Sequence, residues 1–218
     1  MTDAVHDEDP GAGMPQPDAA APIEFLRRWR PTGVLTLSAI EPDGPIETRS
    51  WRIDRPTVWI QITRWIAGWQ GKRNLYFTAN ETRPIDKKPA KGDVTRIWAN
   101  FTDADPDTSE GYAIGRARLM DEMLGRFTGG DLPATETIDS GNGLQGLWQR
   151  VDGEPVTNGA IEAFEAVNKP FSEAMGSKGI FNVDRLLRLP GTINLPNKAK
   201  LSKSPSGNDL PPEKAFRQ

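Results

Sequence analysis

Asp103 and Asp105 close the stretch Arg96-Ile97-Trp98-Ala99-Asn100-Phe101-Thr102-Asp103-Ala104-Asp105-Pro106, where an apolar run meets two acids and then a proline. Side chains alternate faces along a strand, so aspartates two positions apart project to the same side, here at the strand's end. Carboxylates held this close repel each other when ionised, and the usual relief is a divalent, oxygen-seeking cation such as Mg²⁺ or Mn²⁺. The same residues also suit a strand followed by an acidic turn, since Thr108, Ser109, Glu110 and Gly111 continue the polar composition.

Three further groups of residues have types suited to phosphate chemistry. Ser140-Gly141-Asn142-Gly143-Leu144-Gln145 is a glycine-rich turn between two strands, and glycines let successive backbone N–H groups converge on an anionic oxygen. It reads equally as a plain hairpin. Arg185 and Arg188 lie three apart in a segment expected to make a short helical turn, which would put both on one face within reach of a phosphate. Lys72, Arg73, Lys87, Lys88 and Lys91, with Arg83 among them, crowd basic charge into the approach to the aspartate strand, where nucleic-acid phosphate contacts become plausible.

The elements that must hold these groups can be read in order. Residues 1–21 are rich in Asp, Ala, Gly and Pro and read as a disordered acidic tail, with structure starting at Pro22. Phe25, Leu26 and Trp29 have helical spacing, ended by Pro31. Residues 34–40 and 46–51 make a hairpin around Glu41-Pro42-Asp43-Gly44; residues 57–61 suit a strand and 62–70 a short helix. Asn74–Asn80 is a strand, and a polar loop over 81–93 leads into the aspartate strand. Tyr112–Phe127 forms a helix ended by Gly129 and Gly130, with Ile114, Leu119, Met123 and Leu124 on one side and Arg116, Arg118 and Asp121 on the other. Ala134–Asp139 is a strand and Thr157–Met175 a helix kinked or divided by Pro170. From Lys198 the chain is Lys-, Ser- and Pro-rich and reads as a flexible tail, 198–218. The tryptophans are read as core.

Composition excludes several classes. The 218 residues contain no cysteine, so a disulfide framework, a zinc ribbon and a thiol nucleophile are all absent. The single histidine, His6, lies in the acidic tail, which removes a Ser-His-Asp triad from the fold. No run approaches the roughly 18 apolar residues of a membrane span and no signal peptide is visible, so the expected location is cytoplasmic. The net charge of −3 conceals an asymmetry: residues 1–20 hold five acids and no Lys or Arg, and the rest of the chain carries 27 basic against 25 acidic side chains.

Read together and in order, Asn74–Asn80, the Lys87-Lys-Pro-Ala-Lys-Gly-Asp93 loop, Asp103-Ala-Asp105-Pro106, Ser140–Gln145 before Leu147-Trp148, and Asp184-Arg-Leu-Leu-Arg-Leu-Pro-Gly-Thr-Ile-Asn194 form a set. The chain resembles the archaeo-eukaryotic primase (primase-polymerase) superfamily, in the plasmid and prophage RepB-like branch, over residues 22–197. The resemblance implies an α+β fold: an RRM-like catalytic core with an additional N-terminal α/β lobe. It also implies template-directed nucleotidyl transfer on single-stranded DNA from nucleoside triphosphates, with a replicative helicase as a further partner. By that resemblance Asp103 and Asp105 ligate Mg²⁺ or Mn²⁺. Ser140, Gly141, Asn142, Gly143 and Gln145 hold the triphosphate, Arg185 and Arg188 balance its charge, and Asp184 is assigned as the third catalytic acid. The chain departs from the pattern where many relatives carry a histidine, here Gln145, and where they carry an acid before the Asn-x-Asp-Arg segment, here Lys178. A register three residues earlier would put Asn100 and Thr102 at the catalytic positions; Pro106 and the spacing from Asp93 favour the aspartates. Two other readings stay open: a primase-fold protein that binds DNA without catalysis, and a metal-dependent nuclease.

Overall fold

The computed structural model describes residues 17–198 together with the backbone of Glu213–Lys214 and Phe216–Arg217. The elements are α1 (Ala21–Trp29), β1 (Val34–Ile40), β2 (Ile46–Arg52), α2 (Val58–Trp69), β3 (Asn74–Thr78), β4 (Glu81–Thr82), β5 (Val94–Ala104), α3 (Tyr112–Gly129), β6 (Glu136–Asp139), β7 (Leu144–Pro155), α4 (Ala160–Ala174), β8 (Leu186–Arg188), β9 (Ile193–Asn194), β10 (Glu213–Lys214) and β11 (Phe216–Arg217).

Two antiparallel sheets carry the fold, ordered β2-β1-β3-β8 and β11-β6-β7-β5-β4, while β10 pairs with β9. One hydrophobic core joins them. Leu35, Leu37, Leu75, Phe77 and Leu187 come from the first sheet and Ile97, Ala99, Phe101, Ile138 and Leu147 from the second, with Phe25, Leu26 and Trp29 of α1 and Ile62, Trp65 and Ile66 of α2. A smaller cluster of Met123, Phe127, Leu144 and Trp148 seats α3 on β7. The α+β class expected from the resemblance is present. In its layout, however, the first sheet is not purely N-terminal, because β8 returns from near the end of the described chain to pair with β3.

Several local readings are corrected. Residues 58–61 belong to α2, with Thr57 at its N-cap, and no strand forms there. The β-branched and aromatic residues there favour a strand locally, but Val58, Ile62, Trp65 and Ile66 recur at helical spacing and bury one face, and tertiary burial wins. The Arg185–Arg188 segment is strand β8 with its lead-in and forms no helical turn, because Leu187 fills the core opposite Phe77. On α3, Ile114 stays exposed and Arg116 turns inward. Helix α4 runs through Pro170 undivided. Order begins before Pro22, since Asp18 accepts hydrogen bonds from the N–H groups of Ala20 and Ala21 at 2.9 and 3.1 Å. Positions 1–16 of the expected acidic tail, and most of the expected flexible tail, lie outside the described residues, but four positions of the latter make strands β10 and β11.

The feature of the fold that most concerns the site is the outer edge of β5. Beyond the short pairing with β4, no strand among the described residues covers it, and side chains take the place of one. Asn80 Oδ1 accepts from the N–H groups of Trp98 and Ala99 at 2.7 and 3.1 Å. Asn168 of α4 accepts from Phe101 N–H and donates to Phe101 O. The Ser177 hydroxyl donates to Asp103 O at 2.9 Å and accepts from its N–H at 3.4 Å. Buried backbone groups need partners, so three widely separated polar residues fix the strand that carries Asp103.

Candidate active site

Asp103 is the last residue but one of β5 and stands directly opposite Gln145 of β7. Its carboxylate accepts a hydrogen bond from Gln145 Nε2 at 3.1 Å through Oδ1, and from Arg185 Nη2 at 3.3 Å through Oδ2. Burial pushes the Asp103 carboxyl above the usual carboxylate range, and the neighbouring charge of Asp105 pushes it further; Arg185 and Gln145 act the other way. Asp105, past the strand end, is exposed, and its Oδ1 accepts from Asn142 Nδ2 at 2.7 Å.

The glycine turn is therefore in contact with the acid pair, but its backbone donors are already engaged. Gly141, at φ +84°, donates its N–H to Asp139 Oδ1 at 2.8 Å, and Gly143 donates to the Ser140 hydroxyl at 2.9 Å. Ser140 itself donates to Gly143 O from both its N–H and its hydroxyl. Helix α3 clamps the outside: Tyr112 Oη and Arg116 Nε donate to Gly141 O at 2.9 and 3.3 Å, and Arg116 pairs with Asp139 at 2.6 Å. Of the cradle of N–H groups expected from Ser140, Gly141, Asn142 and Gly143, those of Ser140, Gly141 and Gly143 are thus taken up by the turn and by Asp139. What the turn presents to the site is the Asn142 side chain.

The donors with capacity to spare are the arginines. Arg188 is buried at 6% exposure, stacks 4.4 Å over the Tyr76 ring, and donates from Nη2 to Asn194 Oδ1 at 2.7 Å. Asn194 in turn donates to Ser140 O at 2.9 Å, so the Leu189–Asn194 motif bonds the second arginine to the glycine turn. Burial lowers the Arg188 pKa, opposed by Tyr76 and Asp103, yet a guanidinium stays charged. Arg188 Nη1 and Arg185 Nε are both buried without an acceptor among the described residues.

Asp184 is the residue assigned as the third catalytic acid. It contributes to the field at Lys91, whose ammonium bonds Glu165 at 2.6 Å, and among the described residues no third carboxylate joins Asp103 and Asp105. Of the expected nucleic-acid contacts, Lys91 is thereby paired. Arg73 lies over the Trp69 ring and 3.7 Å from both Glu41 and Glu47. Lys72 donates to Gly68 O at the end of α2, while Lys87 and Lys88 stand exposed. Sequence reasoning missed Tyr76, Tyr112, Arg116 and Asp139, which brace the site from β3, α3 and β6; Asn194 is visible as the last residue of a motif, without a role.

No family model and no curated protein matches the sequence. Two solved structures match the fold. The AEP domain of the cyanophage S-2L primase-polymerase (PrimPol) has a TM-score of 0.53 at 14% identity, over 94% of this chain and 91% of that one. At 14% identity the likeness is one of fold. Primase RepB′ also has a TM-score of 0.53, at 10% identity, over 92% of this chain but only 56% of its own length. No helix among the described residues is long and apolar enough to cross a membrane.

The donor set suits a divalent cation of the Mg²⁺ or Mn²⁺ kind. Such ions take one or two protein carboxylates and complete their shell with water and substrate phosphates. Asp103 and Asp105 supply two carboxylates, and a cation there would relieve the repulsion that raises Asp103.

Proposed function

We propose that this chain is a primase or primase-polymerase that joins nucleoside triphosphates on a single-stranded DNA template, for replication of a plasmid- or phage-type element. The observation carrying this reading is one convergence: Asp103 and Asp105 meet the Asn142 side chain and two arginines that retain buried, unused N–H groups. The fold neighbours support it.

In the reaction the 3′-hydroxyl of the growing strand attacks the α-phosphorus of the incoming nucleotide and pyrophosphate leaves. Asp103 and Asp105 would hold Mg²⁺ or Mn²⁺, which when bound stabilises charge on the phosphate oxygens and eases ionisation of the attacking hydroxyl. The chain's own contribution is positioning. Ser177 and Asn168 fix β5, Gln145 and Arg185 fix the Asp103 carboxylate, and Arg185 and Arg188, each with a buried N–H that lacks an acceptor, would supply charge-assisted donors to the phosphate oxygens. Because the N–H groups of Ser140, Gly141 and Gly143 are already bonded, phosphate recognition falls to these arginines and to Asn142.

The two other readings are separable in one assay. Purified protein is incubated with a single-stranded template, labelled nucleotides and Mn²⁺ or Mg²⁺. Short products that require nucleotides support the proposal. Degradation of the DNA without nucleotides selects a nuclease. Binding of the template with no product under either metal selects a non-catalytic primase fold, for which the missing third carboxylate is the supporting observation.

A further inference from the structure

Gln145 stands where the resemblance led to the expectation of a nucleotide contact, and its surroundings assign it other work. It faces Asp103 across the β5–β7 ladder, and directly opposed residues share a face with their side chains in reach of each other. It is 4% exposed. Its amide is held at both ends: Nε2 donates to Asp103 Oδ1 at 3.1 Å, and Oε1 accepts the backbone N–H of Arg188 at 3.0 Å. One partner accepts and the other donates, so the amide has a single orientation that satisfies both. Turning it to a phosphate would release Asp103 and strand a buried N–H of β8.

We propose that Gln145 is a positioning residue, which orients the Asp103 carboxylate for its cation and locks that carboxylate to strand β8, and that it is no ligand of the nucleotide. This rests on the reading of Asp103 as a metal ligand. It also accounts for glutamine at this position. An imidazolium would offer no acceptor to the Arg188 N–H, whereas an amide carries a donor and an acceptor at every pH. Groups that hold a metal ligand in place typically cost about 10–100-fold in metal affinity or activity when removed.

The test compares the wild type with Gln145→Met by two readouts: Mn²⁺ binding, followed through the paramagnetic resonance signal of the free ion, and steady-state nucleotide incorporation. The expected result is Mn²⁺ affinity weakened about 10–100-fold and kcat lowered, with the nucleotide KM within about twofold of the wild type. Unchanged Mn²⁺ affinity overturns the proposal, and a raised nucleotide KM beside it would make Gln145 a substrate ligand. If Gln145→Met fails to fold, Gln145→Asn, which keeps an amide too short to span both partners, carries the same expectation. A wild type that binds Mn²⁺ but incorporates nothing defeats the primase reading, while the Mn²⁺ comparison still decides the role of Gln145. A wild type that binds no Mn²⁺ overturns both.

Discussion

Arg185 Nη2 lies 3.3 Å from Asp103 Oδ2, so a residue at the start of a first-sheet strand holds the acid on which the second sheet's chemistry would depend. The pair is partly buried, with side-chain exposures of 35% and 13%. Arg185 also keeps a buried Nε without an acceptor. It can therefore brace Asp103 and receive a phosphate oxygen at once. Arg185→Ala is expected to raise the nucleotide KM by about 10–100-fold, the equivalent of one charge-assisted hydrogen bond of roughly 1.5–3 kcal/mol. Steady-state incorporation kinetics check this, and an unchanged KM would place the triphosphate elsewhere.

Asp103 should cost the fold stability. Its carboxyl is raised by burial first and by Asp105 second, so the native state favours the protonated form. The sign follows: its favourable contribution is complete below the unfolded value of about 3.9 and is lost as pH rises through the folded value. Asp103→Asn removes that loss. Metal-free thermal melts should show the variant gaining on the wild type as pH rises above about 4. A variant less stable than the wild type at every pH would contradict this.

Gly143 tests how closely the turn must approach the acids. A Cβ there would collide with the Ala104 carbonyl and lie 3.1 Å from Asp105 Oδ1. Gly143→Ala should destabilise the protein by about 1–3 kcal/mol, the usual cost of overpacking, and depress turnover through Asp105. Gly92→Ala, where nothing lies within 4 Å, is the control expected to do neither. Chemical denaturation with parallel activity assays measures both.

The strand under Asp103 depends on Asn168, which is fully buried. Its side-chain oxygen accepts from Phe101 N–H at 3.1 Å and Asn100 Nδ2 at 3.0 Å, and its amide donates to Phe101 O at 3.3 Å. Asn168→Ala leaves buried backbone groups unpaired and should lower unfolding free energy by about 2–4 kcal/mol, read from denaturant titration. Asn168→Asp keeps the acceptor but sets a buried carboxylate against Phe101 O, so at neutral pH it should destabilise at least as much as the alanine change.

What the sequence made legible were the features governed by local periodicity. Asp103 and Asp105 could be placed at a strand end because side chains alternate, and Ser140–Gly143 could be placed in a turn because glycine tolerates the backbone that Gly141 adopts. The rest depends on partners distant in sequence. Nothing near Asn168 or Ser177 announces that they stand in for a strand along β5, since a side chain that bonds a foreign backbone leaves no spacing pattern. Arg185 and Arg188 were found as a pair but assigned to a helical turn, because the pairing with β3 that makes β8 a strand is contributed by residues more than 100 positions earlier. Asp184 is the acid that nearness in sequence suggests, and in the fold its charge adds to the field at Lys91. Gln145 was seen with its motif, yet its two bonds to Asp103 and Arg188 exist only once both sheets have met.

The most direct measurement is a crystal structure with Mn²⁺ and a non-hydrolysable nucleoside triphosphate, using the anomalous signal of the metal to locate it. The account predicts a peak in contact with carboxylate oxygens of both Asp103 and Asp105, with phosphate oxygens accepting hydrogen bonds from Arg185 Nε and Arg188 Nη1. A metal bound away from either aspartate, or a triphosphate lying beyond reach of both arginines, would contradict it.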